Sequence, residues 1–194
     1  VLREQLIALA QMADRGGMRA VWTGEHHGMD FTIAPNPFLS LVDLGHHTKN
    51  VRLGTGTVIA PFWHPIKLAG EAAAADLITD GRIELGIARG AYSYEYERLF
   101  YNYFGAWFQN KRPVSQGLIA GPSDAEIAAN EMMSPANMHR DLTIGTAQEV
   151  IDRIKRYEDL GYDEYAFWVD SGMDFARKRD SLSRFINDVM PAFN

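Results

Sequence analysis

Side chains able to do chemistry stand in three clusters in the first half of the chain. The clusters are Glu25, His26 and His27; Pro61, Phe62, Trp63 and His64; and Arg89, Gly90, Ala91, Tyr92, Tyr94 and Glu95. Histidine transfers protons near neutral pH, arginine binds phosphate, and aromatic rings pack on flat ligands. Together these residue types are suited to a planar anionic ligand and to acid–base chemistry.

Each cluster directly follows an apolar run that predicts a buried strand, and helices are predicted between the strands. The predicted strands are 20–23, 51–59 and 82–88, and the predicted helices are 1–15, Pro37 to about Thr48 and Pro65 to about Thr79. Alternating helices and strands indicate βα units and a parallel sheet. Ligands bind beyond the carboxyl ends of such strands, so the three clusters are expected to lie together around one ligand-binding pocket.

The same order returns at the end of the chain. Thr146 and Glu149 have the spacing of a capping box, which predicts a helix to about Leu160. A strand is predicted over Glu164–Val169, and a final helix runs from Asp174 to about Met190. Between 92 and 145 only a short helix at 123–129 is predicted. The result is four strand candidates, half the number in a (β/α)8 barrel.

Composition narrows the class of protein. The chain has 194 residues, a net charge of -6 and a pI of about 5.5, which argues against nucleic acid as a partner because phosphate binding needs a basic surface. It has no cysteine, so disulfides and thiolate metal sites are excluded. No apolar run approaches the length of a membrane helix. These features predict a cytoplasmic protein without a membrane segment.

The clustered residues could also bind a metal or make ordinary hydrogen bonds and ion pairs. A metal site could draw on Glu25, His26, His27, Asp30 and His64. However, their spacing fits no standard motif, and adjacent residues of an extended segment point to opposite sides, so no metal site is predicted. The two histidines could also be an ordinary hydrogen-bonding pair, and Arg89 could pair with Glu95 or Asp76. His46 and His47, late in a helix, are interpreted as structural.

Three stretches in order carry a family resemblance: EHHGMDFTIAPNP, RLGTGTVIAPFWHP and DGRIELGIARGAYSYEYER. They resemble the N-terminal half of the bacterial luciferase-like flavin-dependent monooxygenases. The closing GTAQEVIDRIKRYEDLGYDEYAFWV resembles the last helix–strand unit of that family. The resemblance covers residues 1–98 and roughly 145–190.

The resemblance implies a fold, an activity and partners. The fold is a (β/α)8 TIM barrel of the α/β class that binds reduced FMN supplied by a separate flavin reductase. The activity is monooxygenation, in which reduced flavin and O2 oxidise a small organic substrate, and the assembly is a homodimer. Two alternatives stay open: a deazaflavin-dependent oxidoreductase on the same barrel, and a non-catalytic flavin-binding protein derived from it.

The resemblance also implies roles for individual residues. His26 matches the catalytic histidine that handles a proton, with His27 beside it. The Gly56–Thr57 bond matches a cis peptide placed against the flavin ring, and Arg89 matches an arginine on the phosphate side. The other cofactor-lining or neighbouring positions are Ala88, Gly90, Ala91, Tyr92, His64 and Glu95.

The chain departs from the family pattern in what it lacks. Residues 1–194 are predicted to form a single barrel domain, but the first strand and the central βα units have no counterpart, and a seam is predicted near 99–100. Three explanations stay open: a longer chain from which an internal stretch is absent, a naturally shortened relative with a rebuilt flavin site, and an incomplete gene product. Under the second, plain flavin binding is favoured over catalysis.

Overall fold

A computed structural model describes residues 2–27, 34–90, 114–115, 118–119, 123–131, 134–169 and 173–193. The chain divides into two compact units. One is Met18–Gly121, and the other combines Val1–Gly17 with Pro122–Asn194. Within the described ranges, no helix is both long enough and apolar enough to span a membrane.

The unit Met18–Gly121 contains short parallel strands and two helices in its described first part. The strands are β1 (Ala20–Thr23), β2 (Arg52–Thr55), β3 (Val58–Ile59), β4 (Ile83–Glu84) and β5 (Ile87–Ala88), and the helices are α2 (Pro37–His47) and α3 (Pro65–Ile78), with a 3-10 turn at Ala60–Phe62. One sheet has the order β1-β2-β4, and β3 pairs with β5 in another; both are parallel. This is the α/β architecture that the alternating pattern predicted. A separate antiparallel pair joins β6 (Val114–Ser115) to β7 (Leu118–Ile119).

The two faces of the β1-β2-β4 sheet differ in character. Leu53 and Thr55 are fully buried on one face, where α2 and α3 pack around a core of Phe38, Val58 and Ala75. The opposite face carries Trp22, which is 43% exposed. Its ring lies directly over Gly54, where a Cβ would come within 2.2 Å of it. The lack of a side chain at Gly54 therefore lets the indole lie flat on the sheet.

Two predicted strands prove to be broken. The run 51–59 forms β2 and β3, which belong to different sheets and are separated at Gly56–Thr57. The run 82–88 likewise forms β4 and β5, separated at Leu85–Gly86. Apolar periodicity does not detect such breaks, because it records which side chains are buried and not which backbone groups pair.

The helices of this unit agree with their predicted bounds. Asn36 caps α2 by accepting a hydrogen bond from the Phe38 amide at 3.0 Å, and Pro37 occupies the first turn. The helix α3 begins at Pro65 and is followed by Thr79, which bonds back to the Ala75 carbonyl. Asp80 and Gly81 then turn the chain with positive φ angles.

The second unit is helical in its described residues. Its helices are α1 (Leu2–Arg15), α4 (Asp124–Ala129), α5 (Pro135–Asp141), α6 (Ala147–Asp159) and α7 (Phe175–Arg184), the last continuing through a π turn (Phe185–Val189) and a 3-10 turn (Met190–Ala192). The predicted capping box of Thr146 and Glu149 is present, and Asp174 caps α7. The helix α1 packs against α7. The helix α5 was not predicted.

The predicted strand at Glu164–Val169 is wrong. These residues belong to neither a helix nor a strand in the structure. A strand exists only where a neighbouring backbone pairs with it, and the apolar, aromatic sequence of this segment does not encode such a neighbour. The prediction had rested on side-chain pattern alone.

Candidate active site

A buried carboxylate organises the loop that follows β1. Glu25 is 2% exposed. Its Oε2 accepts hydrogen bonds from the Ile59 amide at 2.9 Å and from the Trp63 indole Nε1 at 2.8 Å. Its Oε1 lies 2.6 Å from Nε2 of His27. One side chain thus joins the end of β1 to the end of β3 and to the residue after the 3-10 turn.

The two adjacent histidines lie in different surroundings. His27 contacts the Glu25 carboxylate and packs edge-on against the Phe62 ring, with 5.2 Å between ring centroids. The His26 amide donates to the Ala34 carbonyl at 3.2 Å, and its ring lies beside Gly24. A Cβ built on Gly24 would lie 3.7 Å from His26 Nε2 and 3.5 Å from the Gly56 carbonyl oxygen. The His26 ring and the Gly56 carbonyl therefore flank the same bare stretch of backbone.

The segment between β2 and β3 has the backbone geometry that the resemblance implied. The Gly56–Thr57 peptide bond is cis. The Gly56 amide donates to the Thr23 carbonyl at 2.7 Å, and the Val58 amide donates to the Gly86 carbonyl at 2.8 Å. The cis bond is thus held on one side by the end of β1 and on the other by the β4–β5 break.

The third cluster begins at the carboxyl end of β5. Ala88 ends that strand, beside Ile59 of β3, and Arg89 and Gly90 follow it. Arg89 is exposed, and it forms no ion pair with any other residue in the described part of the chain. Asp76, one of its two anticipated partners, instead accepts a hydrogen bond from the Ile83 amide at 3.0 Å. Ala91, Tyr92 and Glu95 lie outside the described residues.

The structure thus brings some predicted residues into direct relation and leaves others apart. The His26 ring and the Gly56 carbonyl both lie beside Gly24, and His27 contacts the Glu25 carboxylate. His64 is exposed and precedes α3 as its N-cap residue, without a capping hydrogen bond from its side chain. His46, interpreted as structural, has Nδ1 2.8 Å from the Val42 carbonyl oxygen within α2.

Two organising residues were not assigned a role from the sequence. The sequence marks Glu25 as a residue after the first strand and as a possible metal ligand, and it gives no signal for Thr55. The Thr55 hydroxyl donates to the Gly86 carbonyl and accepts from the Gly86 amide, both at 2.8 Å. The position of Glu25 next to the histidine pair was the available signal, whereas no local pattern linked Thr55 to Gly86.

A charged cluster lies on the sheet face that carries Trp22. Glu84 lies beside Gly54 in the sheet register and contacts Arg52 Nε at 2.5 Å and Arg19 at 2.7 Å. Burial raises the pKa of Glu84, but the hydrogen bonds and charges of Arg19 and Arg52 outweigh that effect and leave it below its ordinary value. The cluster lies at the amino-terminal side of Gly54, away from His26.

Three comparisons place the chain among known proteins. A family model described as luciferase-like monooxygenase matches residues 3–105. The oxygenase component of a flavin-dependent trigonelline monooxygenase from Acinetobacter baylyi is 39% identical, with 100% of this chain and 90% of the relative covered. That alignment spans 325 residues, so the relative has residues without a counterpart in the 194 residues here.

More distant relatives match over shorter lengths. An alkanal monooxygenase alpha chain from Photorhabdus luminescens is 27% identical over 58% of this chain and 30% of its own length. Among solved structures, the oxygenating constituent of 3,6-diketocamphane monooxygenase from Pseudomonas putida, in complex with FMN, is 30% identical. It covers 50% of this chain and 27% of that one, with a TM-score of 0.47.

Proposed function

This chain belongs to the luciferase-like monooxygenase family, and on that premise we propose that it is the oxygenase component of a two-component, FMN-dependent monooxygenase. A separate flavin reductase would supply reduced FMN, and O2 would be the oxidant. The substrate would be a small organic molecule. Trigonelline, named for the Acinetobacter relative, is the first candidate to assay.

The position of the His26 ring carries the proposal. It lies beside Gly24, across from the carbonyl of the cis Gly56–Thr57 bond, at the carboxyl end of β1 and β2. Parallel α/β sheets bind their ligands at this end. A histidine there can give or take a proton at a bound ligand near neutral pH. His26 is therefore the proposed catalytic residue.

The residues present fit a flavin. Gly24 and Gly56 leave the backbone without side chains between the His26 ring and the cis bond, and a flat ring can lie against such a surface. Arg89 at the end of β5 offers a charge for a phosphate. When bound, reduced FMN supplies the electrons that activate O2. The cofactor contacts are proposed for Gly56, Thr57, Ala88, Arg89, Gly90, Ala91 and Tyr92, with His27, His64 and Glu95 in supporting or substrate-facing positions.

The protein's own part in this chemistry is orientation and exclusion of water. The Glu25 contacts hold the loop of His26 and His27 against β3, and the Thr55–Gly86 pair holds the neighbouring strand break. A site held in this way keeps a proton donor at a constant distance from the ligand. A site closed to water would also limit side reactions during oxidation of the substrate.

A complete (β/α)8 barrel is part of the proposal. The five parallel strands of the described α/β unit lie in the order and direction of three successive barrel strands: β1, then β2 with β3, then β4 with β5. The alignment with the Acinetobacter relative is longer than the chain, which supports a seam near 99–100. The intact mass of the protein isolated from its source would test it, since a mass above 21.8 kDa requires additional residues.

A homodimer is also proposed. Two large apolar side chains of α3, Ile66 and Leu77, are 77% and 80% exposed. Between them lie the small residues Ala69, Gly70, Ala73 and Ala74, which let a second helix approach closely. Light scattering of Leu77→Glu, which introduces a charge on that helix, would give a monomer if the dimer forms there.

The predicted cytoplasmic location stays a prediction.

The decisive experiment is product formation by the purified chain with a flavin reductase, NADH, FMN and trigonelline. We expect turnover by the wild type and a loss of about 100-fold or more in His26→Asn, the range for a general acid–base residue. His46→Asn, a change in a histidine of α2, is the matched control and keeps full turnover. Full activity of His26→Asn would refute the catalytic assignment. Activity with a deazaflavin and none with FMN would favour the deazaflavin class, and flavin binding without turnover would favour a binding protein.

A further inference from the structure

The Glu25 carboxylate accepts from three directions in a site closed to solvent. The Ile59 amide and the Trp63 indole both donate to Oε2, and His27 Nε2 faces Oε1 at 2.6 Å. The side chain of Glu25 has no exposed surface. A buried carboxylate is tolerated only when such donors compensate for the water it has lost. The three contacts therefore form one hydrogen-bond network, in which each partner is expected to point an N–H group at the carboxylate.

The contact with Glu25 bears on which nitrogen of His27 carries hydrogen. An ionised carboxylate accepts hydrogen bonds and cannot donate them, so a nitrogen that faces an ionised Glu25 must be an N–H. With Glu25 ionised, His27 holds a hydrogen on Nε2, whether its ring is neutral or charged. The hydrogen bond made by one ring nitrogen fixes the tautomer and the orientation of an imidazole.

The same contacts constrain the backbone around His26. Glu25 precedes His26 and His27 follows it, so both neighbours of the histidine are tied to one carboxylate. The Glu25 carboxylate also accepts a hydrogen bond from the amide of Ile59 in β3, two residues after Thr57 of the cis bond. The backbone on both sides of His26 is thus tied to the Glu25 carboxylate.

We propose that Glu25 is a positioning residue of the active site. It holds His27 with Nε2 protonated and, by binding the Ile59 amide and the Trp63 indole, keeps His26 opposite the Gly56 carbonyl. The claim that this arrangement serves oxygenation rests on the proposed function. The claim about the histidines is independent of any activity, because it concerns the folded protein alone.

The first test is nitrogen-15 NMR of the histidine side chains in the wild-type protein, at a pH at which a free imidazole is neutral. We expect His27, assigned by comparison with His27→Asn, to show hydrogen on Nε2. An unprotonated Nε2 in the wild type would overturn the proposal without any variant. His46, whose Nδ1 faces the Val42 carbonyl in α2, is an internal reference with hydrogen on Nδ1.

The second test is Glu25→Gln. The glutamine oxygen can still accept from Ile59 and Trp63, which turns its NH2 group toward His27 Nε2. We expect the hydrogen of His27 to move to Nδ1, the resonances of His26 to shift, and those of His46 to stay unchanged. Unaltered His26 and His27 resonances in a folded Glu25→Gln protein would contradict the positioning role.

Activity and flavin binding then separate this proposal from the proposed function. We expect Glu25→Gln to lower product formation about 10- to 100-fold, the effect of a small misplacement of a catalytic group, with little change in affinity for reduced FMN. Full turnover in a variant with the changed tautomer would refute a role in the reaction. If the wild type lacks turnover with every flavin tested, the proposed function fails, and the NMR comparison alone decides whether Glu25 positions His26.

Discussion

The hydroxyl group of Thr55 closes a two-bond ring with the backbone of Gly86. It donates to the Gly86 carbonyl oxygen and accepts from the Gly86 amide, each at 2.8 Å. Thr55 is fully buried and is the last residue of β2, whereas Gly86 lies in the break between β4 and β5. At this point the Thr55 side chain makes the hydrogen bonds that the backbones of two unbroken strands would have made. These bonds hold the end of β2, and with it the neighbouring cis bond at Gly56–Thr57, against the β4–β5 break.

Removing this hydroxyl is expected to destabilise the fold. Thr55→Val keeps the shape of the side chain but leaves the Gly86 amide without this acceptor, which costs about 1 to 3 kcal/mol. Thr55→Ser keeps the hydroxyl and is the control for the lost methyl group. Urea unfolding measures both. Equal stability of the valine variant and the wild type would show that the pair contributes nothing.

Gly86 is expected to reject any side chain. A Cβ there would lie 2.2 Å from the Thr55 carbonyl oxygen, which is backbone and cannot move away without shifting β2. Gly86→Ala should therefore lower the free energy of unfolding by about 1 to 3 kcal/mol, as overpacking does. Gly24→Ala is the matched control, since its Cβ would meet only ordinary contacts of 3.5 Å and longer. Similar unfolding curves for the two variants would refute the steric argument.

Gly24→Ala is expected to fold but to bind flavin poorly. Its methyl group would contact both the His26 ring and the Gly56 carbonyl, on the surface where the flavin ring is proposed to lie. Titration with reduced FMN, followed by flavin fluorescence under anaerobic conditions, should give an affinity at least about tenfold below that of the wild type, or 1.4 kcal/mol. An unchanged affinity would place the flavin elsewhere.

Arg89 is expected to recognise the phosphate of FMN and no other part of it. Arg89→Ala should weaken FMN binding by about 1.5 to 3 kcal/mol, the value of a hydrogen bond to a charged group. Riboflavin, which lacks the phosphate, should bind the variant and the wild type equally well. The comparison of the two ligands therefore separates a phosphate contact from a general loss of structure. Equal weakening of both would argue against the phosphate role.

The Glu84 cluster predicts a loss of stability in acid. The pKa of Glu84 is lower in the folded protein than its ordinary value of 4.5, so this group stabilises the fold above that pH. That stability is lost as the pH falls through the folded-state pKa. Glu84→Gln should unfold at lower urea concentration at neutral pH and show a smaller further loss below pH 4.5. Glu158→Gln, at an exposed site on α6, is the control; the same behaviour in both variants would refute the prediction.

Local signals predicted the helices and the first strand well. Pro37 and Pro65 begin α2 and α3, and the Thr146–Glu149 capping box begins α6. These signals depend on neighbouring residues alone, since an N-cap or a first-turn proline acts within one turn of the helix. The strand Ala20–Thr23 was predicted at its observed bounds because a short apolar run followed by a polar loop is a local signal.

Predictions that depended on a distant partner fared worse. The segment Glu164–Val169 has the composition of a strand but does not form one, and the runs 51–59 and 82–88 are each divided. Hydrogen bonding between strands is a property of two chain segments, and one segment's pattern does not specify it. The cis bond at Gly56–Thr57 was anticipated only through the family resemblance.

The sequence by itself determined the order of the βα units, the placement of chemistry-bearing residues after each strand, and the acidic, cysteine-free composition. It also placed His26 after the first predicted strand, because strand ends and residue types are local properties, and the family resemblance gave that residue its proposed catalytic role. Only the tertiary structure decided that Glu25 joins His27 to Ile59 and Trp63, and that Thr55 pairs with Gly86. Apart from Glu25–His27, which are two positions apart, those contacts join residues 31 to 38 positions apart, and their distances and directions arise only when the folded backbone brings the strand ends together.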